Sequence, residues 1–224
     1  MKTQLLPAAF AALILATFAH AQTPDAAALN QLSIERLQQK NAKEAVDYAE
    51  QATKADATKP EYFSQLGMAL SQRMNEVNFM QMGMLAGKLK KAFQKSVDLD
   101  PNHVPGLIGL ARYYTNAPEI AGGSLEKAAE FAQRVRQLDP FLGETELGRV
   151  AEKGEAYADA LNHYETASKL KPDNAGLQYA CGQQLARLGR KDEARTRFEA
   201  ALTLNPKHQS AQKALAELDA TPAG

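Results

Sequence analysis

Apolar and small residues recur along this chain at intervals of three and four, the period of helices that bury one face. The runs stop at a repeated step in which Asp, Asn or Lys precedes proline, at Pro101, Pro140, Pro172 and Pro206, spaced 39, 32 and 34 residues apart. Proline disfavours helical backbone in the residue before it, so each step ends a helix. Between Pro172 and Pro206 the stretch KPDNAGLQYACGQQLARLGRKDEARTRFEAALTLNP sets helical spacing on both sides of a Leu188-Gly189-Arg190 break. That pattern predicts one helical hairpin, and its recurrence predicts an all-α chain whose hairpins cover one another's apolar faces.

The repeated positions carry a resemblance. Gly182, Ala194, Phe198 and Ala201 lead to Pro206, and Gly148, Ala160, Tyr164 and Ala167 lead to Pro172. Ala111, Tyr114, Ala128 and Val135 precede Pro140, and Leu66, Gly67, Phe93 and Ser96 precede Pro101. The first unit is the weakest, with Leu32, Ala45, Ala49 and Ala52 ending on Asp56-Ala57. These residues resemble the tetratricopeptide repeat, a helical pair of roughly 34 residues, in a chain of the bacterial secreted type. The resemblance implies a right-handed superhelical solenoid of antiparallel helix pairs, with about five repeats over residues 26–218. Close packing of two helices needs a small residue where the backbones approach and an aromatic where the next hairpin leaves a hollow. Ser210 to Leu218 reads as a capping helix, and residues 219–224 as a flexible tail.

Two hairpin loops are enlarged. The second hairpin holds about ten residues more than the template, between Gly67 and Leu89, and five of the chain's six methionines fall between Met68 and Met84. The added turns either lengthen helices and bury Met74, Val77, Phe79, Met80, Met82, Met84 and Leu85, or present them to a partner, since thioethers adapt to varied apolar surfaces. Burial is the favoured reading. Copper is disfavoured, because Met82 points away from Met80 and Met84 on a helix and no histidine is near. In the third hairpin, Asn116-Ala117-Pro118-Glu119-Ile120-Ala121-Gly122-Gly123 precedes Ser124. Pro118 stops a helix, the glycines permit a turn, and Ser124 starts the next helix as its N-cap. The lysine of a phosphate-binding loop is missing.

Relatives of this kind grip peptides or helices on the concave side, lined by the first helix of each pair. Carried onto this chain, that lining is Asn30, Ser64, Met68, Gln72, Ile108, Arg112, Asn116, Thr145, Arg149, Tyr179, Gln183 and Arg187. Arg112, Arg149 and Arg187 fall in successive units, and guanidinium groups hold carboxylates through paired hydrogen bonds, so an acidic peptide or a chain terminus fits. The competing reading is a solvated row paired with Glu152 and similar neighbours. The lysine-and-asparagine clamp of some relatives is missing from these positions.

Lysine and arginine total 26, as do aspartate and glutamate, which leaves no broad field for nucleic acid or an anionic membrane. Lys2, the apolar stretch Leu5 to Phe18 and Ala19-His20-Ala21 predict a signal peptide over residues 1–21, cut before Gln22. Residues 22–25 form a short N-terminal segment. The stretch is too short to span a bilayer, which predicts no membrane span after cleavage and a periplasmic product. Cys181 has no neighbour that would activate it and reads as a buried apolar group. His103, His163 and His208 lie far apart in a stacked array, and no catalytic or cofactor motif is present. The sequence therefore predicts a non-catalytic module without cofactor, whose partner is a protein or peptide met by the groove and by Phe79, Met80 and Met84. A small ligand in an apolar pocket is the second reading.

Overall fold

The computed structural model describes residues 25–220, and the predicted leader lies outside them. Eleven α-helices form five antiparallel pairs and a final single helix among the described residues: α1 (Ala26–Gln38) with α2 (Ala42–Ala55), α3 (Pro60–Met74) with α4 (Phe79–Leu99), α5 (Val104–Asn116) with α6 (Leu125–Leu138), α7 (Pro140–Lys153) with α8 (Tyr157–Leu170), α9 (Ala175–Arg187) with α10 (Lys191–Leu204), then α11 (Gln209–Ala220). Side chains cap many of the starts. Asp25, Asn41, Asn78, Ser124, Asp139 and Asn174 each accept a backbone N–H from the first turn of the helix that follows. Asp25 thus belongs to α1 and not to a separate N-terminal segment.

Within the units, bare glycine backbone meets aromatic rings. A Cβ on Gly67 or Gly109 would lie 2.5 or 2.3 Å from the Phe93 ring, so that ring sits between α3 and α5. Gly148 faces Tyr164 and Gly182 faces Phe198, each at 2.5 Å. Around these seats lie two main cores: one joins Phe93 to Leu70, Leu107, Leu110 and Tyr114, the other Tyr164 and Phe198 to Leu177, Cys181 and Leu185. Successive first helices pack on one another, α1 on α3, α3 on α5 and α5 on α7, which sets them on the inner side of the stack. Four hairpin connections use a left-handed residue, at Lys40, Gly122, Glu155 and Gly189, and two of these are glycines.

Three expectations change here. The second hairpin does not gain a longer loop: only residues 75–78 join its helices, and the extra residues make α4 21 residues long. Its added turns are not buried as a set either. Met74 and Leu85 pack on the core, whereas Phe79, Met80 and Met84 stand exposed. Lastly, Asp219 and Ala220 do not fray but continue α11, where Arg195 pairs with Asp219 at 2.6 Å; residues 221–224 lie outside the described part.

The glycine seats yield a prediction. Gly182→Ala gains up to about 1 kcal/mol of helix propensity, yet its methyl group meets the Phe198 ring at 2.5 Å. Overpacking of that kind costs roughly 1–3 kcal/mol, so the net change lowers the urea midpoint. Gly87→Ala, where nothing lies within 4 Å of the new methyl, raises it. A Gly182→Ala chain as stable as the parent contradicts the seat.

Candidate functional site

Along the inner side, polar groups stitch one first helix to the next. Gln65 on α3 donates to Ser33 on α1 at 3.0 Å, inside the protein. His103 at the start of α5 lies 3.0 Å from Ser64 on α3, and burial lowers the His103 pKa, which keeps the ring neutral. Arg112 on α5 holds Glu146 on α7 through both carboxylate oxygens, at 3.0 and 3.1 Å from Nε and 2.5 Å from Nη2. These bonds raise the Arg112 pKa further. The Glu146 side chain is only 3% exposed, so the pair fixes a buried charge.

Arg112 therefore has an occupant already. Its partner is Glu146 and not Glu152, which instead accepts the Tyr164 hydroxyl at 2.8 Å. Arg149 stands 3.8 Å from the same Glu146 carboxylate with its side chain half exposed. Arg187 is exposed, its guanidinium 5.7 Å from the Tyr157 ring centre. Asn116 turns back to donate to the Arg112 carbonyl at 2.8 Å. Tyr179 leans on Phe198 and His208, and Gln183 is half-buried on the same helix.

The fourth junction differs from the others. α7 and α9 do not pack on each other as the earlier first helices do, and no hydrogen bond or ion pair joins them among the described residues. Units four and five are held instead from the outer side, where Arg197 on α10 reaches Glu165 on α8 at 2.7 Å and Gln178 on α9 at 3.1 Å, and Gln178 donates to Ser168 at 2.9 Å. This junction is clasped outside and carries no side-chain bridge inside, where Arg149 stands on α7 and Tyr179, Gln183 and Arg187 on α9. The sequence grouped these residues but missed the acids of α7. Glu144 is largely buried too, 2.6 Å from His163 Nδ1 and 3.4 Å from Arg136. The available signal was positional, since Glu146 and Gln65 both stand two residues before their unit's central glycine.

Phe79, Met80 and Met84 are not part of this junction. They sit on α4, a second helix, at the edge where hairpin loops emerge. In the third hairpin, Gly122 adopts φ +85°, and Gly123 approaches the Ala117 carbonyl too closely for any side chain. The N–H groups of Gly122, Gly123 and Ser124 bond to Glu119, Pro118 and Tyr114 carbonyls, so the turn consumes the donors an anion would need. Cys181 is buried and its thiol is pushed up to about 11 by desolvation, which keeps it protonated. Among the described residues no cluster of His, Cys, Asp and Glu could hold a metal, and no helix is long and apolar enough to cross a membrane.

Arg112→Ala leaves Glu146 buried with Arg149 alone, 3.8 Å away, and costs roughly 1–3 kcal/mol of stability. Replacing both members by leucine recovers most of that loss. Urea unfolding of the single and double variants checks this, and an unchanged midpoint for Arg112→Ala would mean that solvent, not the arginine, neutralises the acid.

A family model described as a tetratricopeptide repeat matches residues 153–218. The fold is similar to that of TTC0263, a thermophilic repeat protein of Thermus thermophilus, at 19% identity over 88% of this chain and 100% of that one, with a TM-score of 0.71. It is similar also to MamA of Desulfovibrio magneticus RS-1, at 18% identity over 84% and 99% of the two chains, TM-score 0.61. YrrB, a repeat protein with an unusual peptide-binding site, shares 14% identity over 85% of this chain and 91% of its own, TM-score 0.55. No curated protein sequence matches the chain. Residues 153–218 thus carry a tetratricopeptide repeat recognised in sequence, and the five hairpins share the fold of these tetratricopeptide-repeat proteins.

Proposed function

We propose that this protein is a non-catalytic interaction module of the extracytoplasmic space that holds an acidic peptide segment in the groove between α7 and α9. Tetratricopeptide-repeat proteins bind protein or peptide partners, and one similar fold, YrrB, has a peptide-binding site. The observation that carries the reading is the untied inner junction. Arg149 and Arg187 border it with exposed guanidinium groups, while Gln183 offers both an acceptor and donors beside them. Arg112, occupied by Glu146, serves the frame and not the ligand. The outer clasp at Arg197 ties α10 to α8 and to α9 behind this junction. Extracytoplasmic placement rests on the leader-type sequence before Gln22.

Selection from a random peptide display library against residues 22–224 tests the groove. Enriched peptides should carry Asp or Glu, and Arg149→Glu with Arg187→Glu should weaken them about tenfold or more, as expected for charge-assisted hydrogen bonds. Peptides without acidic bias, or affinity indifferent to both substitutions, would place binding elsewhere.

A further inference from the structure

The seats of Phe93 fix how far α4 reaches. Gly67 and Gly109 both face that ring, so the ends of α3 and α5, Met74 and Asn116, each seven residues further on, come level with Ala86 of the antiparallel α4. The turns from Phe79 to Leu85 therefore project about 10 Å past both neighbours. On this projection Phe79, Met80 and Met84 are 89%, 80% and 65% exposed. Beside it, in the enlarged loop of the next hairpin, Ile120 is 99% exposed. The two protrusions are braced together: Lys90 of α4 stands over the rings of Tyr113 and Tyr114, and the Tyr113 hydroxyl donates to the Ala121 carbonyl at 2.6 Å.

Charge along α4 is just as uneven. No residue from Phe79 to Gly87 is charged; then Lys88, Lys90, Lys91 and Lys95 follow, against Asp98 alone. The other second helices each carry an acid in the first turn, where the helix dipole favours it: Glu44, Glu126, Asp159, and Asp192 with Glu193. α4 carries none. Its tip is apolar and uncharged, its dipole end is positive, and its lysines begin about 13 Å behind Phe79. The chain as a whole is neutral, so this attraction is local.

We propose that this edge docks on an anionic lipid surface. Phe79, Met80, Met84 and Ile120 enter the boundary between headgroups and acyl chains, and the exposed Lys88 and Lys91 meet the phosphates. Interfacial apolar groups sink about 5–10 Å, which brings lysines set about 13 Å back to headgroup level. Lys88 also reaches Glu50 at 3.3 Å, an exposed pair that exchanges for a phosphate at little cost. A lipid surface fits better than a protein because the apolar side chains clothe a convex tip and line no recess, so a soft medium can close around them. Peptide in the groove and lipid at the edge use separate residues, and either proposal can fail without the other.

Co-sedimentation of residues 22–224, which contain every described element, with phosphatidylcholine vesicles that do or do not contain phosphatidylglycerol provides the test. The parent chain should pellet with the anionic vesicles and much less with the neutral ones. Phe79→Ser with Met80→Ser and Met84→Ser, and separately Lys88→Gln with Lys91→Gln, should each reduce binding about tenfold or more while the melting temperature stays put. A parent chain that remains in the supernatant overturns the proposal, as does a serine variant that pellets like the parent. So does failure on vesicles together with a parent dimer, seen by ultracentrifugation, that the serine variant breaks, since the tip would then be an interface between copies.

Discussion

An aromatic ring laid against bare backbone is the contact on which this stack depends. A helical pair of this length cannot enclose a core of its own, and its two axes must come close enough to share one. Glycine at the centre of the first helix removes the atom that would hold them apart, and Phe93, Tyr164 or Phe198 fills the space so opened. Because the Phe93 ring touches glycine in its own hairpin and in the next, the same contact that closes a unit also sets the register between units. The overhang of α4 is a consequence of that register. A longer helix clamped at Phe93 has nowhere to place its extra turns except beyond its neighbours.

The inner face adds a second layer of order. Once the rings set the spacing, the first helices lie near enough for single side chains to bridge them, and three junctions are closed by Gln65 with Ser33, His103 with Ser64, and Arg112 with Glu146. The fourth is closed from behind, by Arg197 with Glu165. A solenoid of nearly equivalent joints thus acquires one whose stitching moves from the inner side to the outer one, and the proposed site is placed there.

Much of the fold was legible in the sequence because repeat positions report packing directly. The glycines, small residues and aromatics named from spacing alone are the ones that meet in the cores, and the break at Leu188-Gly189-Arg190 is the turn between α9 and α10. What spacing could not show was where added residues go. Ten extra residues fit a loop or a longer helix equally well by count, and burial of Met80 and Met84 depended on whether α3 and α5 were long enough to cover them. Arg112 was recognised as a groove residue and its pairing with Glu152 or a similar neighbour was weighed, but Glu146 was not named, because it stands 34 residues away and the buried acid at that repeat position breaks the apolar pattern that spacing reads. The enlarged third hairpin, by contrast, behaves as its Pro, Gly and Ser residues require.

The claim on which the functional account rests is that the open junction between α7 and α9 receives the partner. Amide hydrogen exchange of residues 22–224, with and without an acidic peptide selected on this chain, measures it directly. The account predicts added protection in α7 and α9, with α4 and α2 unchanged. Protection confined to the outer helices or to the first three hairpins would contradict it.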